Sequence, residues 1–395
     1  MTTSTSARVN NKSNGNSYFS LTVRSSRVAV MITTFFSIAL NLISCSPRAD
    51  SVQPEDTIEV YTISGTRITA GIDSNSTLKS VAPFPIGAAI NPRLLSSIPL
   101  YKETLQREYN SVSSENCFKM NQIQPKAGGF YWKDTDALVN FAKESNMRVH
   151  GHTLIYYKSL PEWVTSFQGD SLAWENLMKT HIQTVVGRYK GVVTSWDVVN
   201  EAFEDDGTLR RSVWYEKLGA DYIARCFQYA HQADPRALLF YNENVVGKPK
   251  KLTAVLALVN NLKKRGIAIH GIGVQMHINI NTSEEALTTD VRQFVNTGLL
   301  VHISELDIRM NPTYSTNFTL TNALQTRHAL KYKNVAKLYR SVVPKSQQFG
   351  ITNWNVGDAD SWLRKTSPCE DYPLLFSDNY SRKPAYYGFI QGLTN

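Results

Sequence analysis

Two apolar, β-prone runs in this sequence each lead to a glutamate. The first covers residues 194–200 and reaches Glu201, and the second covers residues 299–304 and reaches Glu305. A buried strand does not need a carboxylate at its end, although one strand-end glutamate by itself is usually just solvated. Two such glutamates predict a working pair. Hydrolysis of a glycosidic bond uses such a pair without a metal, because one carboxylic acid protonates the leaving oxygen while the other carboxylate attacks the sugar or activates water.

The neighbours of the two glutamates carry a specific resemblance. The segments WDVVNE (residues 196–201) and ISELD (residues 303–307) resemble the acid/base and nucleophile signatures of family 10 glycoside hydrolases, the endo-1,4-β-xylanases, and they stand in the family's order. The resemblance implies that Glu201 is the general acid/base and Glu305 the nucleophile. It also implies retention of anomeric configuration, for which the two carboxyl groups stand roughly 5 to 5.5 Å apart.

The same resemblance implies a set of sugar-binding residues. Glu115, Asn116 and Lys119 match a segment that bonds the sugar on the glycone side, where hydroxyl groups need both donors and acceptors. A surface ion pair between Glu115 and Lys119 is the alternative. His152 matches the family's sugar-binding histidine, and Asn200 matches the residue that bonds the 2-hydroxyl group of the sugar.

The alternation of side chains along a strand limits what the fourth strand can present. Asn200 and Glu201 can both face the sugar only if the strand ends or bulges between them. Asp197 lies on the Glu201 side of the alternation and is predicted to support the site without taking part in the chemistry. Asn242 and Glu243 resemble an asparagine-acidic segment of the family and are predicted to supply hydrogen bonds behind the sugar-binding residues.

A polar cluster is predicted beneath the two glutamates. Alternation places Gln275 and His277 on one face of the sixth strand. By resemblance His277 bonds Glu305, and Asp307 orients His277. Such a network would hold Glu305 ionised, as a nucleophile must be.

Trp354 and Trp362 match two tryptophans that wall the family's site, with core packing as the alternative for either. One other segment departs from the family's pattern. Where members usually have Trp, His, Ser and Gln, residues 156–159 are Tyr, Tyr, Lys and Ser. Two sugar-binding donors are therefore altered, which leaves the glycan open. Tyr156 still offers a stacking face and a hydroxyl group to a pyranose and is predicted to bind it.

Strand-like and helix-like segments alternate through the rest of the chain, which predicts an α/β fold, a (β/α)8 TIM barrel filled by one core, with its active site at the carboxyl ends of the strands. The predicted single catalytic domain covers residues 78–395. The predicted strands are residues 84–90, 109–114, 148–155, 192–199, 237–241, 269–276, 299–306 and 349–354. The predicted helices include residues 134–145, 173–189, 221–232, 251–265, 283–297 and 322–343.

The beginning of the sequence predicts export. Arg24 and Arg27 precede an apolar run over residues 28–43, which is typical of a secretory signal and too short for a stable membrane span. The run closes on a segment that looks like a bacterial lipobox, so residues 1–45 are predicted to be a signal peptide with Cys45 as the lipidated residue. Ordinary cleavage nearby is the alternative. Residues 46–77 are predicted to be a tether or lead-in segment.

Composition restricts the classes of partner. The 395 residues are 42% hydrophobic and 19% charged, which allows a large core. About four of the nine net positive charges lie near the signal segment and the others form no stripe, so no nucleic-acid partner is expected. No metal or cofactor is expected either. The predicted partners are a polysaccharide, xylan or a related β-glycan, and a membrane through a lipid anchor only. The predicted protein is a monomer, exported to the outer membrane or cell surface of a bacterium or else secreted.

Three hypotheses of function remain at this stage. The first is an endo-acting, retaining β-1,4-xylanase. The second is a related retaining hydrolase of another β-linked glycan, which is motivated by the altered segment at residues 156–159. The third is a surface glycan-binding lipoprotein that has lost turnover. The presence of the whole charged set argues against the third, because a binder without activity has little need of it; the set is Glu201, Glu305, Asn200, His277 and Asp307.

Overall fold

A computed structural model of the chain describes Asp73 and residues 75–394. The predicted signal peptide, Cys45 and nearly all of the predicted lead-in segment lie outside these residues. The strands are β1 (Ile86–Ile90), β2 (Ser111–Ser114), β3 (Arg148–Tyr156), β4 (Ser195–Asn200), β5 (Leu238–Glu243), β6 (Gly271–Val274), β7 (His277–Asn279), β8 (Leu300–Arg309) and β9 (Gln348–Asn353).

The helices surround these strands. They are α1 (Leu78–Val81), α2 (Leu94–Ser97), α3 (Pro99–Glu108), α4 (Met120–Ile123), α5 (Lys133–Glu144), α6 (Glu162–Thr165), α7 (Ser171–Arg188), α8 (Val213–Leu218), α9 (Tyr222–Ala233), α10 (Pro249–Lys264), α11 (Glu284–Val295), α12 (Asn322–Val342), α13 (Trp362–Lys365) and α14 (Pro384–Thr394). No helix in the described part of the chain has the length and apolarity needed to cross a membrane.

Eight parallel strands form a closed barrel. Each of β1 to β5 pairs with the next strand, and the ring continues from β6 to β8, β9 and back to β1. Closure leaves no free edge within this ring. The predicted (β/α)8 barrel is therefore confirmed, and every predicted strand overlaps an observed one. The three-residue β7 is additional: it pairs with the far end of β8, where His277 lies opposite Asp307.

The helices pack apolar faces onto the barrel. In α7, for example, Trp174, Met178, Ile182 and Val185 are buried at spacings of three and four residues, and Asp170 caps the helix by accepting from the amide of Ala173. These spacings place the four side chains on one face of the helix, and burial of that face accounts for its position on the barrel.

The two ends of the described chain meet at Glu108, at the end of α3. Its fully buried carboxylate accepts from the Leu78 amide (3.1 Å), the Tyr386 hydroxyl (2.8 Å) and Arg382 (2.8 Å). Burial alone would raise the pKa of Glu108, but hydrogen bonds from Arg107 and Arg382 outweigh it and lower the pKa. One side chain therefore joins the first helix to the last.

Candidate active site

The predicted nucleophile lies inside a strand rather than at its end. Glu305 is in the middle of β8 and is 5% exposed. The register between β8 and β9 shifts between Ile303 and Leu306, which places an irregularity in the ladder at Glu305. Such irregularities re-aim side chains near the rims of barrels. The carboxylate is thereby directed toward the side chains of β5 and β7.

Three residues fix the position of the Glu305 carboxylate. His277 Nε2 lies 2.9 Å from one oxygen, and Asn242 Nδ2 donates to the other at 2.7 Å. His277 is held in turn by Asp307, whose Oδ2 lies 2.8 Å from His277 Nδ1 and also accepts from Trp362 Nε1 at 2.7 Å. Asn242 was expected behind the sugar-binding residues, but the structure places it directly on Glu305.

Electrostatics favour an ionised Glu305. Burial would raise the pKa of this carboxyl group, but the hydrogen bond from His277 and electrostatic interactions with His152, His277 and Lys119 outweigh burial and lower the pKa. Burial likewise lowers the pKa of His277, and here the carboxylates of Asp307 and Glu305 outweigh it and raise the pKa to about 10. At neutral pH an imidazolium ion therefore faces an anionic carboxylate.

The predicted acid/base follows the last residue of β4 in an unusual backbone conformation. Glu201 has φ of 53°, the left-handed region that costs a residue other than glycine about 1 kcal/mol. The register between β4 and β5 also shifts between Asp197 and Val199. Because regular alternation stops here, Asn200 and Glu201 can face the same site. The break in the strand that Asn200 and Glu201 need in order to face the sugar together is therefore present.

Hydrogen bonds from β5 hold the turn that begins at Glu201. The Glu201 amide donates to the Asn242 carbonyl (3.0 Å), and the Ala202 amide donates to the Tyr241 hydroxyl (3.0 Å). The Phe203 amide approaches the Glu243 carboxylate at 3.3 Å. The strained conformation of Glu201 is therefore supported at successive residues.

Glu243 is buried behind this turn. Its carboxylate accepts from the Tyr241 hydroxyl (2.8 Å) and lies 3.3 Å from Lys251 Nζ. Burial raises the pKa of Glu243 to about 7, although the charge of Lys251 opposes the shift. The predicted supporting role agrees with these contacts, which reach the backbone after Glu201 and not a sugar site.

The Glu201 carboxyl group contacts three polar side chains. Oε1 accepts from Gln275 Nε2 (3.1 Å) and, at 3.4 Å, from Asn200 Nδ2, while Oε2 accepts from the Tyr156 hydroxyl (3.2 Å). Asn200 Oδ1 accepts from both Gln275 Nε2 (3.0 Å) and Asn242 Nδ2 (2.8 Å). Since Asn242 also donates to Glu305, one cluster of amides connects the two glutamates.

Asp197, predicted to support the site, contacts two histidines of β3. Its two oxygens lie 2.9 Å from His152 Nδ1 and 3.0 Å from His150 Nε2. Burial would raise the pKa of Asp197, but the charges and hydrogen bonds of the two histidines lower it well below its usual range. The His152 ring meets the Trp354 ring edge-on at 5.2 Å. Asp197 lies opposite His152 in the pairing of β3 with β4, which accounts for these contacts.

The glycone-side residues lie at a cavity of about 170 Å³. Glu115, 8% exposed, and Asn116 line it together with Arg93. Lys119 donates to Asn116 Oδ1 at 2.9 Å, so the contact that forms is not the alternative ion pair between Glu115 and Lys119. Burial lowers the pKa of Lys119, although the charges of Glu305, Glu115 and Glu201 oppose the shift.

The structure thus brings the two glutamates and six further predicted site residues into one polar network, which runs through Asn242. The polar network joins Glu201, Glu305, Asn200, Gln275, His277, Asp307, Trp362 and Tyr156. Arg210, Ser304 and Tyr241 also contact these residues but were not predicted. Ser304 stood beside Glu305 in the quoted motif and Tyr241 beside Asn242, but Arg210 lies in the loop after β4 and no motif pointed to it. Among the described residues, no three His, Cys, Asp or Glu side chains are arranged to hold a metal ion.

Known proteins provide an independent comparison. The profile described as Glycosyl hydrolase family 10 matches residues 75–392. The chain is 36% identical over 320 residues to an endo-1,4-beta-xylanase of Geobacillus stearothermophilus, covering 78% of this chain and 95% of the relative. It is 34% identical over 351 residues to the exoglucanase XynX of Acetivibrio thermocellus, covering 85% of this chain but 31% of that protein. The chain spans less than half the length of several relatives.

A solved structure agrees with the sequence comparison. Xylanase 10C of Cellvibrio japonicus, in complex with xylopentaose, has a TM-score of 0.77 and 34% sequence identity, with 85% of this chain and 70% of that chain covered. The match of the family profile covers more than half of the chain, including both glutamate motifs. This chain belongs to glycosyl hydrolase family 10.

Proposed function

We propose that this protein is an endo-acting β-1,4-xylanase that cleaves the xylan backbone with retention of configuration. The observation that carries the proposal is Glu305, buried and bonded to His277 and Asn242, and linked through Asn200 to Glu201. An ionised carboxylate and a second carboxyl group within one polar cluster are the parts that double displacement requires. The relative from Geobacillus stearothermophilus, named an endo-1,4-beta-xylanase, supports the choice of glycan.

Each glutamate has two tasks in the proposed reaction. Glu305 attacks the anomeric carbon while Glu201 protonates the leaving oxygen, and a covalent glycosyl-enzyme results. Glu201 then accepts a proton from water, which displaces Glu305. His277 and Asp307 keep Glu305 anionic before attack. Asn200, which contacts Glu201 and is linked to Glu305 through Asn242, would bond the 2-hydroxyl group of the sugar, as the family resemblance implies.

The first test removes the nucleophile. We expect Glu305→Ala to lower kcat on xylan by at least about a thousandfold while polysaccharide binding stays measurable by affinity electrophoresis. Glu103→Gln, an exposed change on α3, serves as the control and should keep wild-type activity. If the wild type and Glu305→Ala are equally inert, the proposal fails and the glycan-binding hypothesis replaces it.

The second test separates the two glutamates. Glu201→Ala should lose most activity on xylan but keep rapid glycosylation by aryl glycosides whose leaving group needs no proton. A burst of phenol release in stopped-flow measurements reports that step. Equal loss on the two substrates would contradict the role of Glu201 as acid.

A second candidate substrate is another β-linked glycan. It is favoured by Tyr156 and Tyr157, which depart from the family's pattern, and by the similarity to a protein named an exoglucanase. Release of reducing ends from xylan, cellulose and mixed-linkage glucan, followed by product analysis on decorated xylan, distinguishes the two. We expect release from xylan to exceed the others by at least about tenfold.

We also propose that the protein is exported as a monomeric lipoprotein. The proposal rests on the positively flanked apolar run over residues 28–43 and the lipobox-like segment that ends at Cys45. Expressed with its own leader in a bacterium, the wild type should incorporate labelled palmitate and partition into detergent, whereas Cys45→Ser should do neither. Light scattering coupled to gel filtration tests whether the protein is a monomer. Incorporation of labelled palmitate into Cys45→Ser would contradict lipidation at Cys45.

A further inference from the structure

The altered segment at the end of β3 contacts the acid/base and the turn that follows it. The Tyr156 hydroxyl donates to Glu201 Oε2 at 3.2 Å. The Tyr157 ring covers the guanidinium of Arg210, with 3.9 Å between the ring centre and Cζ. Burial raises the pKa of the Tyr156 hydroxyl well above its usual value, so this group keeps its proton at working pH. Tyr156 was predicted to bind the sugar, and in the structure its hydroxyl bonds Glu201.

The partners of Asn242, which are Ser304 and Glu305, determine how the side-chain amide groups of Asn242 and Asn200 are oriented. Ser304 Oγ donates to Asn242 Oδ1 at 2.6 Å. Asn242 must therefore turn its NH₂ group toward Glu305, which as a carboxylate can only accept, and toward Asn200 Oδ1. Asn200 has its oxygen committed to that donor and directs its own NH₂ group at Glu201 Oε1.

This orientation decides which oxygen of Glu201 carries the acidic proton. Oε1 faces the NH₂ groups of Asn200 and Gln275, which can donate but cannot accept. A proton on Oε1 would have no acceptor there, so the proton must lie on Oε2. The partner of Oε2 is the Tyr156 hydroxyl, which can donate to the carboxylate and can rotate its hydrogen away when Glu201 is protonated.

We infer that Tyr156 is a positioning residue for the acid/base: its hydroxyl holds Glu201 Oε2, the oxygen that delivers and recovers the proton, and stabilises the carboxylate form that acts as base. This inference rests on the proposed function of Glu201. It makes the departure from the family's pattern a change in the support of the acid/base instead of a change in sugar binding.

The neighbouring tyrosine acts on the backbone of the same residue. Arg210 Nε lies 3.2 Å from the Glu201 carbonyl, and its Nη2 donates to the Phe203 carbonyl at 3.0 Å. Its Nη1 bonds Glu204 at 2.9 Å. With the Tyr157 ring packed on its face, Arg210 clamps the turn over residues 201–204. The two adjacent tyrosines thus secure the carboxyl group and, through Arg210, the main chain of the acid/base.

The charged and titratable groups around Glu201 come from several elements of the barrel. They are Tyr156 and Tyr157 at the end of β3, Glu204 and Arg210 in the loop after β4, Glu243 on β5, Glu305 on β8 and Lys119 before α4. Among these groups in the described part of the chain, the Tyr156 hydroxyl is hydrogen-bonded to the Glu201 carboxyl group. Removing its hydroxyl leaves the surrounding charges in place.

The experiment measures the pH profile of kcat/KM on xylan oligosaccharides for Tyr156→Phe. This change keeps the ring and its edge-on packing with Tyr157 at 5.1 Å. Loss of a donor to the carboxylate favours the protonated acid, so the alkaline limb should move to higher pH by about 0.5 to 1 unit. Tyr387→Phe removes a hydroxyl from α14, where the ring packs against Ala329 of α12, and should leave the limb unchanged.

The outcomes separate this inference from the proposed function. An active wild type with a shifted limb in Tyr156→Phe and unchanged KM supports it. A higher KM with an unmoved limb overturns it and returns Tyr156 to sugar binding. A wild type that is inert on every β-glycan overturns the proposed function, and the role of Tyr156 with it. Thermal unfolding of each variant checks that the fold is intact, and Tyr156→Met, which also lacks the donor, repeats the measurement if Tyr156→Phe does not fold.

Discussion

At the scale of single residues, His277 connects the nucleophile to its support. Its ring nitrogens lie 2.9 Å from Glu305 and 2.8 Å from Asp307. Although burial opposes it, the two carboxylates raise the pKa of His277 to about 10. The imidazolium ion is therefore part of the site at neutral pH, and Asp307 acts on Glu305 through it.

Asp307→Asn tests this coupling. Without the Asp307 charge His277 should lose its proton near neutral pH, and the pKa of Glu305, which the wild-type network lowers, should rise. We expect the acidic limb of the kcat/KM profile to move upward by about one pH unit and activity at neutral pH to fall by roughly tenfold or more. Asp136→Asn on α5, where the wild-type side chain pairs with Arg188, is the control. An unmoved acidic limb would contradict the assignment.

Among the secondary-structure elements, β6 lies so close to β5 that a side chain at Gly273 would collide with Asn242. A Cβ added to Gly273 would lie 2.1 Å from Asn242 Oδ1, the oxygen that accepts from Ser304. The position of the amide that bridges Asn200 and Glu305 therefore depends on the absence of a side chain on the neighbouring strand.

Gly273→Ala should displace the Asn242 amide. Because an error of about 1 Å in catalytic geometry can cost roughly a hundredfold in rate, we expect kcat to fall by about that factor. Gly187→Ala in α7 adds a methyl group with nothing within 4 Å and should leave kcat unchanged. Steady-state kinetics with thermal unfolding distinguish a misplaced amide from a lost fold. Wild-type kcat in Gly273→Ala would show that the amide is not needed.

Across the molecule, the barrel closes by strand pairing, and the two ends of the described part of the chain are joined through Glu108. Leu78 of α1, and Arg382 and Tyr386 near the last helix, all meet this one buried carboxylate. Loss of its charge removes the buried counter-charge that Glu108 supplies to Arg382, which is costlier than loss of a surface pair.

Glu108→Gln should reduce the free energy of unfolding by about 3 kcal/mol at neutral pH. The pKa of Glu108 is lowered in the folded protein, so its stabilisation is complete above the unfolded-state pKa of about 4.3 and is lost as the pH falls through the folded pKa. The difference in Tm between wild type and variant should therefore shrink below about pH 4. Glu103→Gln, exposed on the same helix, should change Tm little at any pH. A constant difference in Tm across pH would rule out the charge as its cause.

The barrel, the two glutamates and most of their partners could be predicted from the sequence alone, in part through its resemblance to family 10 glycoside hydrolases. Strand and helix periods follow from which faces must be buried, and the motifs around Glu201 and Glu305 lie within short continuous segments, so their order along the chain was sufficient. The alternation of side chains correctly predicted a break in the strand between Asn200 and Glu201. It did not predict that the left-handed backbone conformation of Glu201 provides this break.

The tertiary structure was needed to establish which hydrogen-bond donor pairs with which acceptor. Asp197 lies opposite His152 in the pairing of β4 with β3 and contacts His152 and His150, because pairing between strands depends on a stagger that no single strand encodes. The direction of the amide cluster and the contacts of Tyr156 and Arg210 with Glu201 join segments that are far apart along the chain. Such contacts depend on how the closed barrel places its loops, and local sequence patterns do not specify them.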